Sequence, residues 1–295
     1  MDLKRALNKA LNRSLGYELR KIPKPKPRKP VKLRPGDRLV KSPVFVLCTV
    51  RSGSTLLRVL LDSHSRVHAP PEMHLGDIVT DTRSKYAERS LKALGLEGVA
   101  LRYLLWDRML HRELAASGKD VLVYKNPRDV FIVDELARCW PEARFIFLLR
   151  HPLSVARSRK ELRPHDSEQV NLARVLEYGN ALEDARNSLD GLTVRYEELT
   201  ADPEGTLHTV CSFIGVDWEP QMLDYGQFEH GGYKYGLGDR KGKIKSGSIQ
   251  EPEPLPSPEE IPEQLRPLAE AWGYSGQMLR TWAPPVQASR QGYMS

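Results

Sequence analysis

A glycine-containing segment, Thr49–Leu57, carries residue types that bind anions. It lies between an apolar run and a helical stretch, so the backbone N–H groups after Gly53 face any anion at the helix N-terminus. Three hydroxyls and one guanidinium add further donors: Ser52, Ser54, Thr55 and Arg51. The segment predicts a phosphate site, and a plain strand–turn–helix capped by serine is the alternative interpretation.

The same segment does not fit the loop of nucleotide triphosphatases. That loop, Gly-x-x-x-x-Gly-Lys-Ser/Thr, requires glycine where Cys48 stands and lysine where Ser54 stands. The missing lysine is the residue that reaches the terminal phosphates. A nucleotide kinase or another P-loop phosphotransferase is therefore kept only as an alternative.

Arg150 and Ser158 form a second candidate anion site. Arg150 follows the apolar run Arg144–Leu149, and Ser158 comes eight residues later, early in a predicted helix. An arginine fork with a hydroxyl near a helix start suits the dianion of a phosphate monoester. An exposed arginine at a strand end is the alternative.

These two segments resemble the donor-binding elements of sulfotransferases that use 3′-phosphoadenosine-5′-phosphosulfate (PAPS). Arg51–Leu57 is similar to their 5′-phosphosulfate loop, in the branch of the tyrosine, bacterial carbohydrate and polyketide sulfotransferases. The spacing of Arg150 and Ser158 matches their 3′-phosphate site. The resemblance implies that PAPS binds here and leaves as adenosine 3′,5′-bisphosphate.

Two further segments fit the resemblance. Tyr196 lies in a Tyr-Glu-Glu-Leu stretch similar to one whose tyrosine lies near the nucleotide. Arg240, Lys241 and Gly242 resemble a triplet that closes over the 3′-phosphate. A tyrosine buried at a strand end and a solvated basic loop are the respective alternatives.

Sulfuryl transfer needs a base for the acceptor hydroxyl and cations for the leaving oxygen. The resemblance places Glu72 where the tyrosine enzymes carry their catalytic glutamate, and His74 is the second candidate base. Lys125 looks like the lysine that meets the sulfonate or the leaving oxygen, and Arg51 would neutralise the 5′-phosphate. A structural ion pair of Glu72 and a surface role for Lys125 are the alternatives.

The elements that must position these residues alternate along the chain. Apolar runs predict strands, and helical segments separate them: Val44–Thr49, Ser54–Ser63, Val121–Tyr124, Asp129–Cys139, Arg144–Leu149, Thr193–Tyr196 and Glu204–Ile214. This alternation predicts a three-layer α/β fold with a P-loop-like parallel sheet flanked by helices, and the resemblance implies the sulfotransferase fold. We expect variable loops over 76–118 and 161–180 to build the acceptor pocket.

We expect a basic arm over residues 1–38, a sulfotransferase domain over 39–285 and a flexible tail over 286–295. The arm contains a predicted amphipathic helix and a proline-rich spacer, with 13 Lys and Arg against three acids. The arm is either a solvated extension or a weak anchor on anionic membrane. Because the rest of the chain has a net charge of −3, the overall charge of +7 does not indicate nucleic-acid binding.

Composition excludes several classes of protein. No run of about 18 apolar residues exists, and the N-terminus lacks the apolar region of a secretory signal. Three widely spaced cysteines exclude a disulfide framework, so we expect a cytoplasmic protein, with the inner membrane face as the place for an anchored arm. His64, His68 and His74 are predicted to lie on irregular chain, and we expect no metal.

The resemblance implies an enzyme that transfers a sulfuryl group from PAPS to a hydroxylated acceptor. A glycan, a lipid-linked sugar and a secondary metabolite all remain candidates. A non-catalytic anion-binding module is the rival from another class.

Overall fold

The structure is a computed structural model, and it describes residues 36–96, 98–230, 244–251 and 254–274. Within these residues, parallel strands form one sheet in the order β2-β3-β1-β4-β5. The strands are β1 (Val44–Cys48), β2 (Val67–His68), β3 (Val121–Lys125), β4 (Arg144–Leu149) and β5 (Gly191–Arg195). The three-layer α/β fold predicted from the alternating pattern is confirmed.

The central strand β1 is buried over its whole length, as a continuous apolar run between two layers of helices requires. Val46 pairs with Lys125 of β3, and Cys48 pairs with Leu148 of β4. Leu149 of β4 pairs in turn with Arg195 of β5. Because all these strands run in the same direction, the residues that follow them meet at one edge of the sheet.

Helices connect and cover the strands. They are α1 (Ser54–Asp62), α2 (Lys85–Ala93), α3 (Ala100–Ser117), α4 (Val133–Cys139), α5 (Pro152–Leu162), α6 (Glu168–Ser188), α7 (Tyr196–Ala201), α8 (Pro203–Ile214) and α9 (Arg266–Ala271). Short 3₁₀ turns include Leu75–Asp77, Pro127–Phe131, Pro220–Gln227 and Ile244–Ser246. In the described parts of the chain, no helix is long and apolar enough to cross a membrane.

Several predicted boundaries differ from the structure. Tyr196 starts α7 instead of ending β5, because the Glu198 carboxylate accepts a 3.3 Å hydrogen bond from the Arg195 amide and caps the helix start. The segment predicted as one helix over 129–139 is divided into a 3₁₀ turn and α4. His68 belongs to β2 and not to irregular chain, since a strand of two residues carries no periodic signal.

The prediction of loops over 76–118 and 161–180 is wrong. Most of these residues belong to α2, α3 and α6. In α3 the buried residues Tyr103, Trp106 and Leu110 are three and four positions apart, as on one face of a helix. This spacing was visible in the sequence and could have predicted the helix. In α2 no residue is buried, so contact with the core does not account for that helix.

Candidate active site

The loop between β1 and α1 has a backbone shaped for close approach of an anion. Arg51 and Gly53 adopt left-handed conformations, with φ of 72° and 84°. The buried Ser52 hydroxyl donates to the Thr49 carbonyl oxygen at 2.8 Å, which ties the loop to its own start. The N-terminus of α1 then begins at Ser54, directly beyond the turn. The first amides of α1 thus follow the loop directly, which is the arrangement that the predicted anion site requires.

Both the backbone conformation of Gly53 and the nearby Tyr196 ring require glycine at this position. A Cβ atom at this position would overlap the Tyr196 ring. The positive φ is itself unfavourable for any residue with a side chain. Tyr196, the first residue of α7, therefore packs directly on the turn of the loop.

Arg150 joins the two predicted anion-binding segments. It follows β4, and its guanidinium donates to the Arg51 carbonyl oxygen at 3.0 Å. The same guanidinium lies 4.3 Å from the centroid of the Tyr196 ring, within the range of a cation–π contact. Ser158 accepts a 3.1 Å hydrogen bond from the Arg51 Nε atom. The sequence predicted Ser158 early in a helix, but it lies in the middle of α5.

A cavity of about 300 Å³ opens against this loop, and we call it the loop cavity. Its lining includes seven residues that the sequence predicted for the donor: Arg51, Gly53, Ser54, Thr55, Arg150, Ser158 and Tyr196. Ser154, Arg157 and Glu161 line it as well and were not predicted. Their spacing around Ser158 on α5 is helical, which is the signal that could have identified them.

The remaining predicted residues have different positions. The Ser52 hydroxyl serves the loop itself, and Glu72, His74 and Lys125 are not part of the lining of the loop cavity. Arg240, Lys241 and Gly242 lie outside the described residues.

Glu72 and Lys125 form an ion pair beside the start of the loop. Their side chains are 11% and 2% exposed, so the pair is largely removed from water. Lys125 ends β3 next to β1, and the Tyr124 hydroxyl accepts a 2.9 Å hydrogen bond from the Met73 amide, which fixes the segment carrying Glu72. Burial raises the pKa of the Cys48 thiol to about 11, while the Lys125 charge lowers it. Both charges thus act at the end of β1.

His74 completes a short chain of polar groups. Its Nε2 atom lies 3.9 Å from a Glu72 carboxylate oxygen, and its Nδ1 atom lies 3.9 Å from Asp77. Asp77 in turn accepts a 3.0 Å hydrogen bond from Arg128. The two candidate bases are therefore neighbours, and His74 is the more exposed of them.

Asp129 is a buried acid near this pair that sequence reasoning missed. Neither of its carboxylate oxygens has a hydrogen-bond partner among the described residues. The pKa of Asp129 is raised well above its usual range, mainly by burial and also by the Glu72 charge. The Lys125 charge offsets part of this effect. In the sequence, Asp129 resembles an ordinary acid in the first turn of a helix, which is why it carried no signal.

His64 and His68, the two histidines that precede His74 in the sequence, contact groups outside the candidate site. The His64 Nε2 atom lies 2.7 Å from the Asp217 carbonyl oxygen, and the His68 Nδ1 atom lies 3.5 Å from Asp62. Over the described ranges, no group of three or more His, Cys, Asp or Glu side chains could hold a metal ion.

The sequence profile of the Sulfotransferase family matches residues 43–220. That span is more than half of the chain and includes the loop, both residues of the second anion site and Tyr196. The chain therefore belongs to the sulfotransferase family.

Individual relatives agree with this assignment. The nodulation protein NoeE of Sinorhizobium fredii is 30% identical over 209 residues, which are 59% of this chain and 50% of that protein. Protein-tyrosine sulfotransferase 2 of Gallus gallus is 24% identical over 199 residues, 62% of this chain and 53% of that protein. The chain spans about half the length of the curated relatives it matches.

A solved structure shares the fold. The sulfotransferase domain of the olefin synthase from Synechococcus PCC 7002 matches with a TM-score of 0.57 and 22% identity. The match covers 79% of this chain and 96% of that domain. The sheet and its helices thus form a sulfotransferase fold.

Proposed function

We propose that this protein transfers a sulfuryl group from PAPS to a hydroxyl group of its acceptor and releases adenosine 3′,5′-bisphosphate. The observation that carries the proposal is the loop cavity, which is lined by residues of both segments that the sequence predicts to bind anions. A base–cation pair, Glu72 and Lys125, lies beside the same loop. Anion sites, a cation and a base are the groups that this reaction requires.

The contacts around Arg51 support a donor with two phosphate positions. The amides at the start of α1, together with Ser54 and Thr55, would hold the 5′-phosphosulfate. Arg150 and Ser158 would hold the 3′-phosphate, and both already contact Arg51. Such a network aligns the two positions before the donor binds, which lowers the cost of ordering the site.

The chemistry follows from the position of the Glu72–Lys125 pair. The acceptor oxygen attacks the sulfur atom, and the bond from sulfur to the bridging oxygen of the 5′-phosphate breaks. Glu72 takes the proton of the acceptor hydroxyl, and Lys125 stabilises the negative charge that develops on the leaving oxygen. His74 is the alternative base, because it lies next to Glu72.

A hydroxyl acceptor is supported by one of the relatives. Protein-tyrosine sulfotransferase 2 is named for tyrosine, whose side chain offers a hydroxyl group. Here the acceptor would be a glycan, a lipid-linked sugar or a secondary metabolite that presents such a group.

A transfer assay tests the proposal. The full chain is incubated with PAPS that carries radioactive sulfur and with a phenol, a sugar or a long-chain alcohol. We expect labelled acceptor and adenosine 3′,5′-bisphosphate in equal amounts. Lys125→Ala should reduce the rate by at least about a hundredfold, whereas Lys92→Ala on the exposed helix α2 should leave it unchanged. Phosphate transfer from labelled ATP to the same acceptors would contradict the proposal.

A further inference from the structure

A second cavity, of about 290 Å³, lies against the start of the same loop, and we call it the arginine cavity. Four arginines line it: Arg128, Arg159, Arg163 and Arg174. Thr49 and Val50 form part of its wall, whereas Arg51 and the residues from Gly53 to Leu56 line the loop cavity. One loop therefore separates two cavities.

We propose that the arginine cavity binds an oxyanion, a phosphate or a carboxylate, that belongs to the acceptor. This inference rests on the proposed function, which it deepens by naming a chemical class of acceptor. Arginine presents a planar fork that matches both oxyanions, and several arginines converge here from different elements. Arg128 follows β3, Arg159 and Arg163 lie at the end of α5, and Arg174 lies on α6.

The charges in the cavity favour an anion. Arg159 is held by Asn171 at 2.7 Å and by Asp166 at 2.8 Å, so its position is fixed. Arg174 and Arg128 each pair with one carboxylate, Glu177 and Asp77, and all four of these side chains are about half exposed. Exposed pairs contribute only about 0–1 kcal/mol, so an incoming oxyanion can compete for these guanidinium groups.

Arg163 adds positive charge to this balance. Its guanidinium makes no hydrogen bond or ion pair with any residue in the described part of the chain, and its side chain is exposed. Four arginines thus face three carboxylates. The arginine cavity keeps a surplus of positive charge.

Thr49 gives an independent indication of a ligand. Its side chain is 1% exposed, and its hydroxyl has no hydrogen-bond partner among the described residues. A buried hydroxyl without a partner is unfavourable, and its usual explanation is a water, an ion or a ligand. Because Thr49 lines the arginine cavity, a bound oxyanion would supply the missing partner.

The cavity is also linked to the candidate base. Arg128 is bonded to Asp77, Asp77 lies 3.9 Å from His74, and His74 lies 3.9 Å from Glu72. Asp77 and His74 thus lead from the arginine cavity to Glu72, and an acceptor held by its oxyanion would extend along them toward the group that removes its proton. The partly buried Tyr178 also lines the cavity and offers an apolar ring for the stem that carries the anion.

Calorimetric titration of the full chain tests the inference. Adenosine 3′,5′-bisphosphate is kept saturating to fill the loop cavity, and phenyl phosphate, benzoate and the neutral benzyl alcohol are titrated separately. We expect at least one of the two oxyanions to bind and to bind more tightly than benzyl alcohol. The double variant Arg163→Ala, Arg174→Ala should weaken that oxyanion at least about tenfold, which corresponds to 1.4 kcal/mol.

The control variant is Arg89→Ala, which removes an exposed arginine of α2 and should change nothing beyond twofold. Comparison of phenyl phosphate with benzoate identifies which oxyanion the site prefers. The inference is overturned if neither oxyanion binds while the nucleotide is present. It is also overturned if the double variant binds the oxyanion as tightly as the wild type does. If the nucleotide itself does not bind, the proposed function fails. The arginine cavity is then tested without nucleotide, where the double variant and not Arg150→Ala must weaken the oxyanion.

Discussion

At the scale of single residues, two features require glycine at position 53: the positive φ of Gly53 and the Tyr196 ring packed against it. The loop cannot accept a side chain at this position without moving the ring. Since Tyr196 also lies under the Arg150 guanidinium, a shift of the ring would reach the second anion site as well. The Tyr196 ring thus connects Gly53 of the loop with Arg150 of the second predicted anion site.

Gly53→Ala should therefore destabilise the protein by about 1–3 kcal/mol and weaken adenosine 3′,5′-bisphosphate. The double variant Gly53→Ala, Tyr196→Ala removes the overlap but keeps the unfavourable φ, so it should recover part of the stability. Denaturant unfolding of the three proteins measures both effects. Equal stability of Gly53→Ala and the wild type would contradict this account of the loop.

Arg150 should discriminate between nucleotides. Arg150→Ala should weaken adenosine 3′,5′-bisphosphate by about 2–5 kcal/mol, because it removes a charged partner of the 3′-phosphate. Adenosine 5′-phosphate lacks that group, so its affinity should barely change. Calorimetry with both nucleotides makes the comparison, and Arg150→Lys serves as the variant that keeps the charge. Equal losses of affinity for the two nucleotides would show that Arg150 does not contact the 3′-phosphate.

Glu72 should affect turnover and not donor binding. Glu72→Gln keeps the shape of the side chain but removes the base, so turnover of PAPS should fall by about 10²–10⁴-fold with nucleotide affinity unchanged. His74→Ala is the matched comparison, since His74 lies next to Glu72. A large loss with His74→Ala and none with Glu72→Gln would reverse the two roles.

At the scale of elements, the parallel sheet explains why residues 25 to 147 positions apart in the chain meet at one edge of the sheet. The ends of β1, β3, β4 and β5 carry Thr49, Lys125, Arg150 and Tyr196 to the same edge. The apolar runs revealed these strands in advance. The sequence could not show β2, whose two residues are too few for a pattern. It allowed an ion pair of Glu72 but not its partner Lys125, because that contact depends on how the segment after β2 lies against β3.

The start of α5 provides a prediction about pH. His151 caps this helix by accepting a 3.2 Å hydrogen bond from the Leu153 amide, and its own amide donates to Glu197. Burial, aided by the charges of Arg157 and Arg150 and opposed by Glu260, lowers the pKa of His151 from 6.5 to about 4. The unfolded chain therefore binds a proton between these values when the folded chain does not.

Stability should accordingly fall as pH drops from 6.5 to about 4, by at most about 3 kcal/mol from this residue. His151→Asn keeps a capping side chain but cannot take up that proton. Its free energy of unfolding should show a smaller decrease over this range than that of the wild type. Parallel curves for the two proteins would contradict the assignment.

At the scale of the whole molecule, residues 1–38 have a net charge of +10, whereas the rest of the chain has a net charge of −3. Arg38 contacts the Cys139 carbonyl oxygen, and the amides of Leu39 and Val40 donate to the buried Asp107. The folded contacts of the described chain thus begin by Arg38. We propose that the residues before it act as a weak electrostatic anchor on anionic membrane, such as the inner face of a cell membrane.

The arm should bind anionic vesicles in a salt-dependent way. Each Lys or Arg near such a surface contributes about 1 kcal/mol, and high salt shortens the Debye length to about 3 Å at 1 M. Sedimentation with vesicles that contain anionic lipid should capture the full chain at low salt and release it at high salt. A chain lacking residues 1–36 should stay in solution and still bind the nucleotide. Equal binding to neutral and anionic vesicles, or binding to neither, would contradict the electrostatic anchor. The arm would then be a solvated extension.

The central claim is that the loop cavity holds a nucleotide with a 3′-phosphate, and it can be measured without knowing the acceptor. The melting temperature of the full chain is compared with adenosine 3′,5′-bisphosphate and with ATP plus Mg²⁺. At about one hundred times its Kd, the bisphosphate should stabilise the protein by about 2.7 kcal/mol and raise the melting temperature by several degrees. ATP with Mg²⁺ should produce little change, since the loop lacks the lysine for terminal phosphates. A shift with ATP and none with the bisphosphate would contradict the account.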